Sequence, residues 1–293
     1  MNGVIIIDKP LGKTSHDMVY FLRRITHIKK IGHTGTLDPN ASGVLPMCIG
    51  KATKAAQMLT DTDKRYSVRM TLGAVTDTQD ADGEILTTFD VNVTEEQLKE
   101  TVASFEGEIM QIPPMYSAVK VNGKKLYQLA REGIEVEREG RKINIYKIDI
   151  LDINLENKTM DMDVYCSKGT YIRTLCHDIG QKLGCGGYVS KLRRTQSGLF
   201  KAEDSYTVGQ IEKMADEGTL ESAIIPVDEL FGEYEKIAVT NDVAQKIKNG
   251  MTLRLAGIEE GKKYRVYDKN SNFLSISYGE KENLLKLDTA FWM

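Results

Sequence analysis

The sequence predicts an α+β protein in which a mixed, mainly antiparallel sheet with flanking helices is followed by a small β-rich domain. Tyr66 to Leu72 and Ile143 to Ile153 alternate apolar and polar residues, as half-buried strands do. Turn residues such as Ala81-Asp82-Gly83 link neighbouring strands, which favours antiparallel pairing over repeated βαβ units. From Lys236 onward, short strands separated by turn residues follow. We therefore predict one domain over residues 1–230 and a second over residues 236–293.

The first predicted elements are a buried strand and a capped helix. Val4 to Ile7 is an apolar run typical of a buried strand. Thr14 or Ser15 can cap a helix that carries Met18, Phe21, Leu22 and Ile25 on one face. A glycine-rich loop is expected next, from Gly32 to Gly50.

The middle of the chain predicts a helix and a basic insertion. Thr94 and Gln97 form a capping box, and Gly107 is expected to close the helix that they begin. We predict an insertion over about residues 107–142 that projects from the sheet. Its part from Lys120 to Lys142 carries seven Lys or Arg against four Glu and includes a short helical pattern. A plain surface helix would have the same pattern.

The remaining elements alternate between strands and helices. Met160 to Cys166 is strand-like, and Ile172 to Leu183 places apolar residues at core spacing for a helix that a glycine cluster ends. A further helix is predicted around Ile211 and Met214. Pro226 is expected to begin a connection, and one brief helix near Val243 and Ile247 interrupts the C-terminal strands.

The composition indicates an ordinary globular protein. The chain has 293 residues, 41% hydrophobic, and its apolar runs are far too short to span a membrane. We expect a cytoplasmic protein without a cleaved leader. The four cysteines contain no CxxC pair, which favours buried, reduced thiols over a zinc site. The net charge of -3 does not by itself predict a polyanionic partner. We expect neither a metal nor an organic cofactor.

The segment with most chemical information surrounds Asp38. It reads GHTGTLDPNASGVLP over residues 32–46, and its glycines permit positive backbone dihedrals and the close approach of a ligand. Pro39 restrains Asp38 to an extended conformation, so the loop can present one carboxylate reproducibly. An Asx-type turn at Asp38 would explain the same dipeptide without any function.

This segment resembles the signature of the TruB family, whose members isomerise the uridine at position fifty-five in the T arm of tRNA. Other segments agree with the family in the same order, namely residues 3–10, 64–66, 76–83, 169–173 and 192–198. The resemblance implies a pseudouridine synthase fold for the first domain and a small PUA-like β-barrel for the second. It also implies that the insertion is a flexible thumb over the T stem-loop.

The resemblance implies a role for each matched residue. Asp38 would be the nucleophile, Arg173 its ion-pair partner, and Tyr66 a residue that stacks on the target base and removes its C5 proton. Without the resemblance, Arg173 would be interpreted as the solvated face of a helix and Tyr66 as a packing residue. His33 would fill the space that the extruded base leaves. Substrate-binding roles are implied for five more residues: Tyr171, Leu192, Lys9, Pro10 and Asp80.

An RNA substrate requires cations that can neutralise phosphates. We predict such contacts for nine basic residues on the insertion and near the pocket: Lys120, Lys124, Lys125, Arg131, Arg141, Lys142, Lys191, Arg193 and Arg194. The expected partner is the T stem-loop of tRNA, with no membrane and no obligate protein partner. A non-catalytic protein that binds tRNA or assists its folding remains the alternative, and activity of an Asp38→Asn variant discriminates between the two.

Overall fold

The computed structural model describes residues 1–121 and 123–292. The strands up to residue 226 are β1 Gly3–Lys9, β2 Ile31–His33, β3 Ala41–Ile49, β4 Lys64–Leu72, β5 Ala74–Thr76, β6 Ile85–Thr88, β7 Gly107–Gln111, β8 Lys120–Val121, β9 Lys124–Lys125, β10 Arg141–Asn154, β11 Thr159–Cys166, β12 Gly187–Ser197, β13 Phe200–Lys201 and β14 Ile225–Pro226. The helices are α1 Ser15–Thr26, α2 Ala56–Thr60, α3 Glu95–Ala103, α4 Leu126–Arg131, α5 Ile172–Lys182 and α6 Val208–Asp216.

Ten of the described strands form one sheet. Its spatial order is β14-β1-β3-β12-β4-β11-β10-β7, with β13 beside β12 and β2 beside β3. β3 and β12 pair in parallel, whereas the other neighbours along the main path are antiparallel. Side chains of α1, α3, α5 and α6 pack with the sheet in one large apolar core. The predicted mixed, mainly antiparallel sheet with flanking helices is therefore confirmed.

Two of the predicted helix starts are confirmed, but one helix end is not where it was predicted. Thr14 caps α1 in a reciprocal capping box, and Thr94 caps α3 in the same way. α3 ends at Ala103, four residues before the glycine that was expected to close it. Gly107, with φ of 97°, instead begins β7. Gly107 therefore provides the positive φ with which β7 begins.

The predicted glycine-rich loop is mostly strand. Only residues 34–40 lie between β2 and β3. β3 is buried along most of its length, with β1 on one side and with β12 and β2 on the other. Gly43 lies where the backbone of the neighbouring strand β12 approaches closely, because a Cβ at this position would lie 2.1 Å from the carbonyl oxygen of Arg194, its register partner. Pro226 pairs with Gly3 as the last residue of the edge strand β14, where a proline is tolerated, and the connection to the C-terminal sheet follows it.

We expect Gly43→Ala to lower the free energy of unfolding by about 2–5 kcal/mol, since the new methyl group overlaps β12 and the backbone φ is 104°. Gly218→Ala is the matched control, because Gly218 also has a positive φ, of 71°, but has open space at its Cβ position. Urea denaturation followed by circular dichroism measures both variants. Equal losses of unfolding free energy in the two variants would show that backbone strain, and not the close approach of β12, determines the destabilisation.

The C-terminal part is a curled five-stranded sheet, as the predicted β-rich domain requires. Its elements are β15 Glu235–Ala238, α7 Asn241–Lys248, β16 Leu253–Arg254, β17 Lys263–Tyr267, β18 Phe273–Glu280 and β19 Leu284–Ala290, with spatial order β15-β17-β18-β19-β16. Ile276 and Phe291 share one apolar core with Val4, Ile6 and Phe200 of the large sheet. The two sheets are thus joined by a common core.

Cysteine burial agrees with the expectation from composition. All four cysteines are free and buried, and burial raises the pKa of the Cys48 and Cys166 thiols to about 12. Among the described residues, no helix combines the length and the apolar character that crossing a membrane requires. No group of three His, Cys, Asp or Glu side chains in the same residues could hold a metal ion.

Candidate active site

The Asp38 loop is fixed by the start of α1. The Ser15 hydroxyl donates to the Leu37 carbonyl at 3.1 Å and accepts from the Leu37 amide at 2.8 Å. The Thr34 amide donates to the Pro46 carbonyl, and the Ala41 amide donates to the carbonyl of Asp38 itself, each at 3.0 Å. These bonds hold the loop at both ends, and the Asp38 side chain remains 42% exposed at the cavity wall.

Arg173 on α5 is the partner of this carboxylate. Its Nε lies 3.0 Å from Asp38 Oδ2, and its side chain is only 6% exposed, which contradicts the interpretation as a solvated helix face. Its two other nitrogens donate to the carbonyls of Thr78 and Tyr116, each at 2.8 Å. A planar guanidinium held on three sides can orient a carboxylate without losing its own charge.

Asp80 supports the same guanidinium from behind. Its Oδ2 lies 3.6 Å from Nη1 of Arg173, and its Oδ1 accepts from the Thr78 hydroxyl at 2.5 Å and from the Asp82 amide at 3.2 Å. Burial raises the pKa of Asp80, and these hydrogen bonds together with Arg173 oppose the rise. Asp80 therefore contacts Arg173 directly, in addition to the substrate-binding role predicted for it.

Tyr66 and Arg194 form the floor of the site. Tyr66 is 9% exposed on β4, and burial raises the pKa of its phenol while the nearby Arg194 guanidinium opposes this. Arg194 is 1% exposed and donates to the carbonyls of Val44 at 2.7 Å and Gly35 at 3.1 Å. The predicted phosphate contact at Arg194 is therefore wrong, because its side chain is buried and bonds main-chain carbonyls of the protein.

A cavity of about 540 Å³ connects these groups. A smaller cavity of about 230 Å³ lies next to it, and Asp38, Arg173 and Leu192 line both. The ion pair is therefore part of the wall between the two cavities. The residues of the larger cavity that matter most here are Gly35, Asp38, Lys64, Tyr66, Tyr116, Ser117, Arg141, Tyr171, Arg173 and Leu192.

The other predicted substrate-binding residues differ in their burial and in whether they line the larger cavity. Tyr171 and Leu192 line the larger cavity, and Pro10 is exposed next to the loop. His33 on β2 is half-buried, and burial lowers the pKa of its imidazole. Lys9 is fully buried and donates to the carbonyls of Pro10, Lys13 and Pro39. Direct substrate contact by Lys9 is therefore contradicted, and its ammonium, whose pKa burial lowers to about 8, braces the loop.

Several positioning residues were missed by the sequence reasoning. Gln111 at the end of β7 accepts from the Tyr171 amide at 2.8 Å and donates to its carbonyl at 3.1 Å. Ser15 positions the Asp38 loop through Leu37, and the Tyr116 carbonyl positions Arg173 by accepting a hydrogen bond from it. These are side-chain bonds to distant backbone, and no local pattern in the sequence marks them.

The remaining predicted phosphate-binding cations differ in how free they are. Lys142 pairs with Glu108 at 2.9 Å, and Lys124 lies 3.6 Å from Glu132. Arg193 pairs with Asp8 at 2.9 Å through two nitrogens. Four others show no carboxylate within 4.0 Å among the described residues: Lys120, Lys125, Arg131 and Arg141. Lys191 is exposed and lines the smaller cavity.

Comparison with known families gives two matches that adjoin each other. Residues 23–172 match the model described as TruB family pseudouridylate synthase (N terminal domain). Residues 173–232 match the tRNA pseudouridylate synthase B C-terminal domain. The two models together include Asp38, Tyr66 and Arg173, whereas residues 1–22 and 236–293 lie outside both.

Relatives and solved structures agree with these models. The chain is 48% identical over 261 residues to tRNA pseudouridine synthase B of Geobacillus thermodenitrificans, covering 87% of this chain and 86% of the relative. It is 44% identical to the Clostridium tetani protein of the same name, covering 96% and 97%. A chain from a crystal structure of a Cbf5-Nop10-Gar1 complex is 29% identical, with a TM-score of 0.72 over 99% of this chain and 84% of that chain. The chain therefore belongs to the TruB family of pseudouridine synthases, isomerases that convert uridine to pseudouridine in tRNA.

Proposed function

We propose that this protein isomerises the uridine at position fifty-five in the T arm of tRNA, with Asp38 as the nucleophile. One observation carries the proposal. The Asp38 carboxylate lies in the wall of the 540 Å³ cavity, held at 3.0 Å by a buried guanidinium, and Tyr66 lines the same cavity. A carboxylate is an anion near neutral pH, so it needs no separate base to activate it.

The reaction follows from this placement. Asp38 attacks C1′ of the ribose, a carbon–oxygen bond forms, and the bond from C1′ to N1 of uracil breaks. The freed uracil anion turns within the cavity and its C5 bonds to C1′ as the bond to Asp38 breaks. C5 then loses its proton and N1 gains one, so no atom or electron is supplied from outside. Arg173 orients the carboxylate throughout, because its Nε bonds Asp38 Oδ2.

Tyr66 and His33 serve the base before and after it leaves its stack. The ring of Tyr66 offers a face for the uracil, and its hydroxyl is the group that we assign to C5 proton removal. His33 precedes the Asp38 loop on β2, and its lowered pKa favours the neutral imidazole, whose ring can take the place of an extruded base.

RNA binding by the rest of the chain is part of the same proposal. The insertion of residues 107–142 acts as a thumb over the T stem-loop, and residues 236–293 act as a PUA-like RNA-binding domain. In this proposal the protein acts without an obligate protein partner or cofactor. Free, buried cysteines suit the reducing cytoplasm, where we place the enzyme.

Tritium release from a tRNA transcript labelled at uridine C5 tests the target position. We expect the wild-type protein to release tritium from the unmodified transcript, and replacement of the uridine at position fifty-five by cytidine to abolish that release. Replacement of a neighbouring T-loop uridine is the control and should leave it. Tight tRNA binding without any release would favour the non-catalytic binding or chaperone function instead.

Removal of thumb charge should weaken binding without affecting chemistry. We expect Lys124→Gln/Lys125→Gln to lower the salt dependence of T stem-loop affinity by roughly one to two ions, because Lys124 is already partly neutralised by Glu132. Single-turnover rates at saturating RNA should stay within about twofold. Lys99→Gln/Lys213→Gln is the control, since these lysines lie on α3 and α6 and pair with Glu95 and Glu217. An unchanged slope would assign the thumb lysines to ordinary surface.

A further inference from the structure

A basic surface on the first helix lies outside every contact assigned above. We define the α1 patch as Lys13, His16, Tyr20, Arg23, Lys30 and Lys54. Its members come from the turn before α1, the helix itself, the turn after it and the segment that follows β3. The apolar residues on the other side of α1, such as Met18 and Leu22, pack in the large core.

The helix spacing brings His16, Tyr20 and Arg23 together, and Lys13 lies just before the helix. His16 and Tyr20 are one turn apart, and their rings meet edge to face with centroids 4.8 Å apart. The Arg23 guanidinium lies 5.9 Å from the Tyr20 ring centroid, and Tyr20 is 59% exposed. An exposed aromatic ring next to an arginine is the combination on which nucleic-acid bases stack while phosphates are neutralised.

Backbone contacts bring the last two members to the C-terminal end of the same helix. The Gly50 amide donates to the Lys30 carbonyl at 2.8 Å, which places the segment with Lys51 and Lys54 beside Lys30. Burial lowers the pKa of Lys54, and the charges of Lys30 and Lys51 lower it further. The patch therefore concentrates like charges, which is unfavourable for the folded protein alone.

Asp17 lies near Lys13 and His16, but no ion pair joins the patch to a carboxylate in the part of the chain that the structure describes. Among the described residues, none of Lys13, Arg23, Lys30 and Lys54 has a carboxylate within 4.0 Å, whereas Arg24 on the same helix pairs with Glu212. Asp17 is the one acidic residue between positions 13 and 30, and it is used in the helix cap. In a chain of net charge -3, an unpaired cluster of this kind indicates an external polyanion.

The position of the patch identifies which part of the polyanion it meets. The start of α1 is bonded to the Asp38 loop through Ser15 and Leu37, and twelve residues of helix lead about 18 Å away from it. In the sheet, β1 and β3 beside α1 lie on one side of β12, while β10 and β7 at the base of the thumb lie on the other. RNA held by the thumb therefore leaves the α1 side free for RNA joined to the loop.

We propose that the α1 patch binds phosphates of the tRNA body outside the T stem-loop. This inference rests on the proposed function, because it takes the T stem-loop to occupy the cleft and the thumb. In the bound state, Arg23, Lys30 and Lys54 replace counterions on the RNA backbone, and Tyr20 offers its ring to an unpaired base. The patch contributes affinity and selects complete tRNA over an isolated stem-loop.

The test compares two RNAs, full-length unmodified tRNA transcript and the isolated T stem-loop. Dissociation constants are measured across a salt series for the wild-type protein, Lys30→Gln/Lys54→Gln and the paired-lysine control Lys99→Gln/Lys213→Gln. We expect the patch variant to bind full-length tRNA about tenfold more weakly, with the salt slope reduced by roughly two. Its affinity for the stem-loop should stay within twofold, and the control variant should bind both RNAs as the wild type does.

Two results would overturn the inference. Unchanged full-length affinity would return the patch to ordinary surface, and an equal loss on both RNAs would place it against the stem-loop itself. Circular dichroism melts of each variant establish that the fold is retained, and Lys30→Glu/Lys54→Glu should enlarge the full-length effect if charge is its cause. Failure of the proposed reaction is distinguishable, because it would appear as absent tritium release by the wild-type protein whatever the binding results.

Discussion

Asp38→Asn is expected to reduce pseudouridine formation by about 10⁴-fold or more while leaving the affinity for tRNA within about tenfold of the wild-type value. Asparagine has the shape of aspartate, and its amide oxygen can still accept from Nε of Arg173, so the loop should keep its position. The amide is neutral and a poor nucleophile, however, and cannot form the bond to C1′. Single-turnover tritium release and filter binding measure the two effects separately.

Asp80→Asn is the matched control for this variant. It removes the other carboxylate from the same guanidinium, at 3.6 Å instead of 3.0 Å, and leaves the nucleophile in place. We expect a rate loss at least tenfold smaller than that of Asp38→Asn, because Arg173 keeps its bonds to the Thr78 and Tyr116 carbonyls. Substantial turnover by Asp38→Asn would remove Asp38 from the role of nucleophile.

Tyr66→Phe is expected to slow the reaction by roughly 10²- to 10⁴-fold, the usual contribution of a positioned general acid or base. The phenyl ring keeps the face on which uracil stacks, so tRNA affinity should change little. Burial raises the pKa of Tyr66, so its hydroxyl carries a proton in the resting enzyme. In the proposed step it gives that proton to N1 of the rotated uracil as it takes the proton from C5. Rapid quenching should show the loss in the step that removes the C5 proton.

Tyr66→Leu separates stacking from proton transfer. It fills much of the same buried space on β4 but offers no aromatic face, so both the rate and the affinity for tRNA should fall below those of Tyr66→Phe. Equal rates for the wild type and Tyr66→Phe would leave the ring, and not the hydroxyl, as the functional part of this residue. Thermal melts of the two variants control for loss of packing.

Periodicity and capping signals predicted most of the elements, because these signals act over a few residues. The capping boxes at Thr94 and Thr14 and the core spacing of α5 are of this kind. The loop predicted from Gly32 to Gly50 failed for a different reason. A glycine can mark either a turn or a close approach between neighbouring strands. Which of the two applies at Gly43 depends on β12, about 150 residues later in the chain.

The residues of the candidate site could be predicted from the resemblance to the family, but their burial and contacts could not. The sequence alone could not distinguish a buried Arg173 from a solvated one, because its burial depends on carbonyls of Thr78 and Tyr116. Basic character also failed to separate Arg194, which is buried, from cations on the surface. Which of two neighbouring arginines reaches solvent is decided by strand register, and a local count of charge does not contain that information.

The apolar core shared by the two sheets sets the position of the C-terminal sheet relative to the Asp38 loop. Ile276 and Phe291 pack with Val4 and Ile6, and Arg265 of β17 donates to the carbonyls of Asp228 and Tyr234 in the connection between the sheets. These contacts attach the C-terminal sheet to the large sheet that carries the Asp38 loop. If residues 236–293 bind RNA as we propose, an RNA that contacts both this sheet and the Asp38 loop has to present two contact points at the spacing that the shared core sets. Such an enzyme would select RNAs by their dimensions as well as by their bases.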